Sequence, residues 1–338
     1  MVRRRARQEG LQAWALAALA LVGPGCQRAA EVPAPTTAAP APTPAELQVR
    51  DDMGRDVRLA APARRVASLS PALTEILFAV GCGPALVLRD HWSDAPAEAK
   101  AAPEVDSLAP SVELILAARP DLVLTSFPPA RLRGALDDAG IAWLGLSPAR
   151  VDAIALDIAR VGALCGAGER ALKVRNAFVQ QVAAVDRALV ARGEPRVYLE
   201  LDHASGKGWT AGDDTFLGDL IRRAHGVNAF GDQRGWPQIS SESILAADPD
   251  IVLLAWPGSA APAGGSEAER AIAAFAARPG LAALRAVRLG RVHRIDASLL
   301  GRPGPRVVEA LRTLASLLHP DAALGPARAL APLPSAAP

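Results

Sequence analysis

A short segment occurs twice in the chain, and this internal repeat limits the possible folds more than any other feature. Residues 111–124 (SVELILAARPDLVL) and 240–253 (SSESILAADPDIVL) match almost position for position. Each copy predicts a helix capped by Ser, a turn at Pro-Asp and a buried apolar strand. We therefore expect two lobes built alike, with Glu113 and Glu242 at equivalent positions.

Both lobes are expected to be of the α/β class. Residues 66–69 form a short apolar run that leads directly into Ser70-Pro71, a pair typical of a helix start. Between the lobes, residues 169–192 contain no Gly or Pro and carry apolar residues along their length. A helix of this length spans about 35 Å, which is enough to connect two lobes. The simpler interpretation is that this segment is an ordinary surface helix. We place the lobes at 47–166 and 194–321, joined by a helix over 167–193.

The N-terminus has the pattern of an export signal. Several arginines precede an apolar run at 11–22, which is shorter than the roughly 20 residues that span a bilayer. The alternative is a permanent anchor helix. We place the signal at residues 1–25. Because Cys26 follows Gly25, the site resembles one where a lipoprotein is cleaved and acylated, although simple secretion remains an alternative.

Two further segments are too poor in large apolar residues to form a core. Residues 26–46 are rich in Ala, Pro and Thr and are expected to form an extended tether. Residues 322–338 have a similar composition and are expected to be a disordered tail.

Charge and cysteine content exclude several functions. The net charge of +2 arises from the N-terminal arginines, so the rest of the chain has no basic surface that would favour nucleic acid. No Cys/His cluster has the spacing of a metal site, and no metal is expected. If Cys26 is acylated or removed, Cys82 and Cys165 remain as a pair that an oxidising compartment would allow to form a disulfide.

The tryptophans point to a cleft that binds a ligand. Only 4% of residues are aromatic, and Trp143 lies in an apolar strand as a core residue would. The other four tryptophans of the folded region lie in polar or Gly/Pro-rich stretches of both lobes, at Trp92, Trp209, Trp236 and Trp256. Each alone is equally well explained as the cover of a loop. Together they favour a ligand held between the lobes.

Catalytic motifs are absent from the sequence. It contains no Gly-x-Ser-x-Gly, no phosphate-binding loop and no His-Glu-x-x-His. His91, beside Trp92, is either a group that reaches a metal within the ligand or a solvated loop residue. We expect a protein that binds rather than an enzyme, and no cofactor of its own.

Five segments together resemble the substrate-binding proteins of cobalamin and iron-siderophore ABC importers, in which one rigid helix joins two α/β lobes. The resemblance covers 66–318, and it is carried by residues 65–75 (RVASLSPALTE), 92–100 (WSDAPAEAK), 120–124 (PDLVL), 236–240 (WPQIS) and 302–306 (RPGPR). The segments beginning at Trp92 and Trp236 resemble the cobalamin branch most. This resemblance implies a periplasmic protein, or one at the outer face of the cytoplasmic membrane, that captures cobalamin or another corrinoid.

The resemblance also implies roles for individual residues. In the cobalamin branch, aromatic residues of both lobes clamp the corrin, which transfers to Trp92, Trp209 and Trp236, and Arg302 matches a ligand-side arginine. Where that branch has an aromatic ring and an acid, this chain has Ser126 and Ser298. Phe127 and Asp296 are near enough in sequence to substitute for them.

Glu113 and Glu242 match two glutamates that dock onto arginines of the permease dimer. The simpler interpretation is that both are N-terminal helix acids favoured by the helix dipole. The expected partners are an ABC permease dimer with its ATPase, the binding protein itself being a monomer. Membrane contact is expected only through a lipid on Cys26.

Three other functions remain open at this point. A ferric siderophore or haem is the first alternative ligand, and the residues that would hold it are Arg89, Arg234, Arg302 and His91. The second is a sensory or partner-binding lipoprotein without a transport role. The third is an enzyme whose site lies between the lobes.

Overall fold

The computed structural model describes residues 46–204, 206–256 and 266–325, all within one compact unit that begins at Pro44. The predicted signal segment, Cys26 and the tether other than Glu46 lie outside the described residues. In the part of the chain that is described, no helix combines the length and apolar character needed to cross a bilayer.

The first lobe is a five-stranded parallel sheet flanked by helices, in the order β5-β4-β3-β6-β7, with a separate antiparallel β1-β2 hairpin. Its strands are β1 (Leu47–Arg50), β2 (Asp56–Leu59), β3 (Val66–Ser68), β4 (Leu86–Asp90), β5 (Glu104–Val105), β6 (Leu122–Thr125) and β7 (Ala142–Gly145). Its helices are α1 (Pro71–Ala79), α2 (Val112–Ala117), α3 (Ala130–Asp138) and α4 (Ala153–Leu164), with short 3-10 turns at Gly83–Ala85 and Ala97–Ala101.

A single long helix, α5 (Gly168–Leu189), connects the two lobes. One side of it is buried and packs on α4, and the same core cluster continues into the second lobe. The buried residues recur at helical spacing, at Val174, Phe178, Val182, Val185 and Leu189. The prediction of two α/β lobes joined by one helix is therefore confirmed.

The second lobe has a four-stranded parallel sheet in the order β11-β8-β13-β14 and a three-stranded antiparallel sheet in the order β12-β10-β9. Its strands are β8 (Arg196–Glu200), β9 (Asp202–Ala204), β10 (Lys207–Trp209), β11 (Val227–Asn228), β12 (Gln238–Ser240), β13 (Ile251–Leu254) and β14 (Val292–Arg294). Its helices are α6 (Phe216–Arg223), α7 (Ser241–Ala247), α8 (Glu267–Ala276), α9 (Arg285–Arg288), α10 (Ala297–Leu300) and α11 (Val307–Leu318), with a 3-10 turn at Leu281–Ala283.

The sequence repeat is a structural repeat. The hydroxyl of Ser111 accepts a hydrogen bond from the amide of Leu114, and Ser240 caps α7 in the same way, each at 3.2 Å. The aspartate of each Pro-Asp pair accepts from the backbone at the start of the central strand, Asp121 from Arg65 at 3.1 Å and Asp250 from Arg196 at 2.8 Å. The repeated Ser and Asp therefore fix where each helix begins and how it is joined to its sheet.

Residues 322–325, which begin the predicted tail, are among the described residues. Arg312 donates to the carbonyl of Gly325 at 2.9 Å, and Leu324 packs against the core. Residues 326–338 of the predicted tail lie outside the described residues.

Candidate ligand-binding cleft

Exposed aromatic side chains follow the carboxyl ends of strands in both lobes. Trp92 follows β4, Phe127 follows β6, and Trp209 ends β10 in the hairpin that follows β8. Their exposed fractions are large, 57% for Trp92, 83% for Phe127, 38% for Trp209 and 51% for Trp236. In open parallel sheets this edge is where ligands bind, so Trp92 and Phe127 lie where a ligand of a two-lobe protein is expected.

Trp209 and Trp236 belong to one small sheet. Trp209 pairs with Gln238 of β12, and the chain continues with Thr210 donating to the carbonyl of Pro237 at 3.0 Å. Trp236 therefore lies beside the end of β10. The structure brings these two predicted ligand residues of the second lobe close together, Trp209 at the end of β10 and Trp236 in the segment that leads into the adjacent β12.

The buried carboxylate of Glu200 lies directly against strand β10 of that sheet. Glu200, fully buried at the end of β8, accepts from Tyr198 Oη at 2.8 Å and from Trp256 Nε1 at 2.7 Å. Arg278 adds two bonds, at 2.8 and 2.6 Å, one to each carboxylate oxygen. Four donors thus satisfy this carboxylate, which is the condition under which a buried charge is tolerated.

Trp256 is a core residue, so its assignment to the cleft is wrong. Only 8% of it is exposed, and its indole N–H bonds to Glu200. Trp143, by contrast, is buried as predicted, with Nε1 donating to Asp137 at 2.9 Å.

Gly208 connects the Glu200 network to the cleft. A Cβ at this position would lie 2.2 Å from Tyr198 Oη and 2.3 Å from Glu200 Oε2, which is closer than real atoms approach. Only glycine therefore lets β10 pack directly on the network, which places the next residue, Trp209. Sequence reasoning missed Glu200, Arg278 and Gly208. The one available signal is an acid that ends an otherwise apolar strand.

The loop that carries Trp92 is held by local hydrogen bonds to Asp90. The buried side chain of Asp90 accepts from the Trp92 amide at 3.1 Å, and the amide of Ser93 donates to the Asp90 carbonyl at 2.9 Å. His91 lies edge-on to Trp92 with 5.1 Å between ring centroids, and its Nδ1 is 3.3 Å from Glu104. His91 is therefore an exposed neighbour of Trp92, already paired with an acid.

Arg302, from the loop between α10 and α11, joins the second lobe to this loop. Its guanidinium donates to Asp94 at 2.6 Å and to the carbonyl of Trp92 at 3.1 Å, and only 12% of the side chain is exposed. The predicted ligand-side arginine thus already has two partners in the opposite lobe, one of them the backbone of a predicted ligand residue.

Glu75 lies behind this contact, on α1. It is 5% exposed, with Oε1 3.7 Å from Arg302 and 3.6 Å from Arg306. Neither oxygen has a hydrogen-bond partner among the described residues. Burial raises the pKa of Glu75 to about 7, against the lowering effect of Arg306 and Arg302.

The remaining cleft residues also have partners within the protein. Asp296, considered as a substitute for a ligand-side acid, is the N-cap of α10 and accepts from the amide of Ser298 at 2.8 Å. The pKa of Asp296 is lowered, chiefly by a hydrogen bond from the Ser298 side chain and to a lesser degree by this bond from the Ser298 amide. Arg89 is paired with Glu104 at 2.7 Å. Of the three cleft arginines considered for an anionic ligand, Arg89 and Arg302 are therefore neutralised by acids.

Glu113 and Glu242 lie at matching positions in the first turns of α2 and α7, and both are exposed. Hydrogen bonds lower both pKa values. Glu113 accepts from its own backbone amide and from Ser111, and Glu242 accepts from Ser240. Arg131 is 3.5 Å from Glu113 at the surface. Both carboxylates are thus ionised near neutrality, as a helix-terminal acid and a docking residue would each require.

Among the residues that the structure describes, no group of three or more His, Cys, Asp and Glu side chains is arranged to hold a metal ion. The only tyrosine in the sequence, Tyr198, is fully buried and donates to Glu200.

The chain resembles known binding proteins over most of its length. It is 28% identical over 283 residues to an uncharacterized ABC transporter substrate-binding lipoprotein of Bacillus subtilis, covering 81% of this chain and 86% of that protein. It is 32% identical over 197 residues to a vitamin B12-binding protein of Yersinia pestis, covering 57% of this chain and 69% of that protein.

Among solved structures, a periplasmic heme-binding protein in complex with two hemes superposes with a TM-score of 0.68 at 30% identity, covering 76% of this chain and 98% of that one. The family model described as "Periplasmic binding protein" matches residues 66–299. Its members bind ligands and are not enzymes. The chain therefore belongs to the periplasmic binding protein family and has its two-lobe α/β fold.

Proposed function

We propose that this protein is the extracytoplasmic substrate-binding protein of an ABC importer, and that its ligand is cobalamin or a related corrinoid. The observation that carries the ligand assignment is the set of exposed tryptophans at the strand ends of both lobes, Trp92, Trp209 and Trp236. Large flat rings exposed to water offer apolar surface on which a flat ligand can pack. The vitamin B12-binding relative supports the same class.

The charges of the cleft favour a ligand with little net charge. Arg89 and Arg302 are paired with Glu104 and Asp94, so neither is free to balance an anionic siderophore. A corrinoid carries many side-chain amides, which neutral and paired groups can bind. Arg302 then acts by holding the Trp92 loop and by offering its remaining donor capacity to such amides.

The fold favours capture in a preformed cleft. Helix α5 shares a continuous core with both lobes, and Arg302 bonds across them. Large hinge motion would break these contacts. Affinity is then expected to come from preorganisation rather than from closure.

Haem is the second candidate, and one observation favours it. The His91 imidazole is 56% exposed beside Trp92, where it could reach a metal at the centre of a flat macrocycle. Tyr198 cannot supply that ligand because it is fully buried. In this case His91→Ala would abolish the Soret shift that haem shows on binding, whereas corrinoid binding would be retained.

The proposal also covers location and partners. We expect export by residues 1–25, retention at the membrane surface through a lipid on Cys26, and delivery of the ligand to a permease dimer with its ATPase. Glu113 and Glu242, exposed and ionised at equivalent positions, are the docking residues that we propose. Opposite charge on the permease would orient the approach.

The direct test is co-elution with ligand. The purified protein would be incubated with cyanocobalamin, separated from free ligand by gel filtration, and the visible spectrum of the protein peak recorded. We expect a stoichiometric corrin spectrum that Trp209→Ala reduces. The matched control is Leu289→Ala, which removes an exposed apolar side chain of α9's C-terminus outside the proposed site.

A colourless peak with cyanocobalamin and cobinamide would contradict the corrinoid assignment. The same column run with haem and with ferric siderophores would then identify the ligand class. Failure with every one of these ligands would favour a sensory or partner-binding role.

A further inference from the structure

Two cysteines face each other at the base of the first lobe, away from the aromatic cleft. Cys82 follows the end of α1, and Cys165 follows the end of α4. The sulfur of Cys82 is 4.0 Å from the backbone carbonyl of Cys165. Both thiols are free in this structure.

The backbone on each side is fixed by helix-terminal hydrogen bonds. The amide of Cys82 donates to the carbonyl of Leu77 at 2.9 Å, and that of Cys165 donates to Val161 at 3.1 Å. Cys82 is partly exposed, whereas only 9% of Cys165 is exposed. The pair therefore has one accessible sulfur and one enclosed sulfur held beside it.

The surroundings favour reaction at Cys82. The side chain of Cys165 hydrogen-bonds to Cys82 and lowers the pKa of the Cys82 thiol, and the positive charges of Arg170 and Arg64 lower it further. The pKa of Cys165 is raised, first by that same contact and then by burial. An accessible thiolate beside positive charge is the usual attacking sulfur in thiol–disulfide exchange.

We propose that Cys82 and Cys165 form an intramolecular disulfide when the folded chain meets a disulfide oxidant of the dithiol-oxidase or oxidised-glutathione class. The Cys82 thiolate attacks one sulfur of the oxidant, which forms a mixed disulfide and releases one thiolate. Cys165 then loses its proton, attacks the Cys82 sulfur and displaces the second thiolate. The two cysteines lose two electrons and two protons, and the oxidant disulfide becomes two thiols.

The bond would fasten α1 to the junction between α4 and α5. The same junction is already packed, since a Cβ on Gly166 would lie 2.8 Å from Pro62 and the amide of Ala63 donates to Leu164 at 2.8 Å. Because the cysteines are roughly 80 residues apart in sequence, the link closes a long loop of the unfolded chain. It would therefore stabilise the lobe that carries Glu75 and Trp92.

The test is a cysteine map of the purified full chain. The protein would be reduced, freed of reductant, incubated with oxidised glutathione and quenched with N-ethylmaleimide before trypsin digestion. The sequence places Cys82 in peptide 66–89 and Cys165 in peptide 161–170, so their linkage is read directly by mass. We expect the two peptides joined, about 2 Da lighter than their sum, as the main product.

Single variants provide the matched control. Cys82→Ser should leave Cys165 as a slowly alkylated thiol, and Cys165→Ser should leave Cys82 as a mixed disulfide with glutathione. A wild-type map in which both peptides stay separate, each carrying maleimide or glutathione, would overturn the proposal. Because the readout involves no ligand, its failure is independent of the corrinoid assignment.

A second measurement reports the consequence of the bond. The urea midpoint of the oxidised protein should lie above that of the reduced protein, and the difference should vanish in either single variant. Equal midpoints with the linked peptide present would contradict the stabilising role while leaving the bond itself established.

Discussion

Each lobe buries one glutamate behind its tryptophans, and the two are held in opposite ways. Glu200 has four hydrogen-bond donors, from Tyr198, Trp256 and Arg278, all within its own lobe. Glu75 has two arginines of the other lobe at 3.6 to 3.7 Å, and its oxygens have no hydrogen-bond partner in the described part of the chain. The tryptophans of the second lobe, Trp209 and Trp236, are therefore supported by contacts within their own lobe. The position of Trp92 in the first lobe depends on contacts between the lobes.

This difference separates stability from cleft geometry. Loss of a Glu200 partner leaves a charge buried in the second lobe and should weaken the whole lobe. Loss of the Glu75 charge removes an unsatisfied carboxylate and should affect chiefly the pH dependence of stability.

The largest effect is expected from Arg278→Met. It leaves Glu200 buried without its main counter-charge, and the unfolding free energy should fall by about 3–5 kcal/mol. Urea unfolding followed by circular dichroism measures the change. The double variant Arg278→Met with Glu200→Leu should recover part of the loss, because no charge then remains buried while Tyr198 and Trp256 lose their acceptor. A single variant as stable as wild type would show that the Glu200 network does not stabilise the second lobe.

The next effect concerns ligand affinity. Trp236→Ala should weaken cyanocobalamin binding about 10- to 100-fold, because an apolar face that the ligand covers is lost. Titration monitored by tryptophan fluorescence quenching measures it, with Leu289→Ala as the control for an exposed apolar residue elsewhere. An unchanged dissociation constant would remove Trp236 from the site.

Glu75→Gln should change how stability depends on pH. Because the pKa of Glu75 is raised to about 7 in the folded protein, the native state keeps its proton between about pH 4.5 and 7 while the unfolded state loses it. The contribution of Glu75 to stability therefore falls as pH rises through that window. We expect the variant to lack this slope and to be more stable than wild type by about 3 kcal/mol at pH 8, the free energy that corresponds to a pKa raised from 4.5 to about 7.

The measurement is the difference in unfolding free energy between wild type and variant from pH 4.5 to 8. Asp157, whose pKa burial also raises to about 7, is present in both proteins and cancels in that difference. A difference that stays constant across the range would contradict the raised pKa of Glu75.

The smallest structural effect is expected at the repeat acids. Glu113→Gln with Glu242→Gln removes two exposed charges at helix starts, so the unfolding free energy measured by urea should change little. Cyanocobalamin binding should be unchanged, whereas uptake in cells that depend on this protein should be lost. Normal uptake by the double variant would leave only the helix-terminal role.

The repeat allowed much of the fold to be predicted. Ser caps, Pro-Asp turns and apolar strands are local signals, so α2, β6, α7 and β13 follow from sequence. The connecting helix was also predictable, because a long stretch without Gly or Pro between matching lobes has few other uses. The β1-β2 hairpin was missed because each of its strands has only four residues, too few for the alternation to stand out in sequence.

The site was less predictable because its key contacts join distant parts of the chain. Trp256 resembles the other loop tryptophans in sequence, and only its bond to Glu200 makes it a core residue. Arg302 and Asp94 are far apart in sequence, so their pairing depends on how the lobes meet. The proposed ligand residues rest on exposure and position, which local patterns suggest and only a bound ligand can test.

The central claim is that one flat, nearly neutral macrocycle packs between the tryptophans of both lobes. The most direct test is a crystal structure of the full chain grown with cyanocobalamin. We predict the corrin ring between Trp92 on one side and Trp209 with Trp236 on the other, with Arg302 still bonded to Asp94. A corrin ring bound elsewhere, or crystals of the protein that exclude the ligand at saturating concentration, would contradict the account.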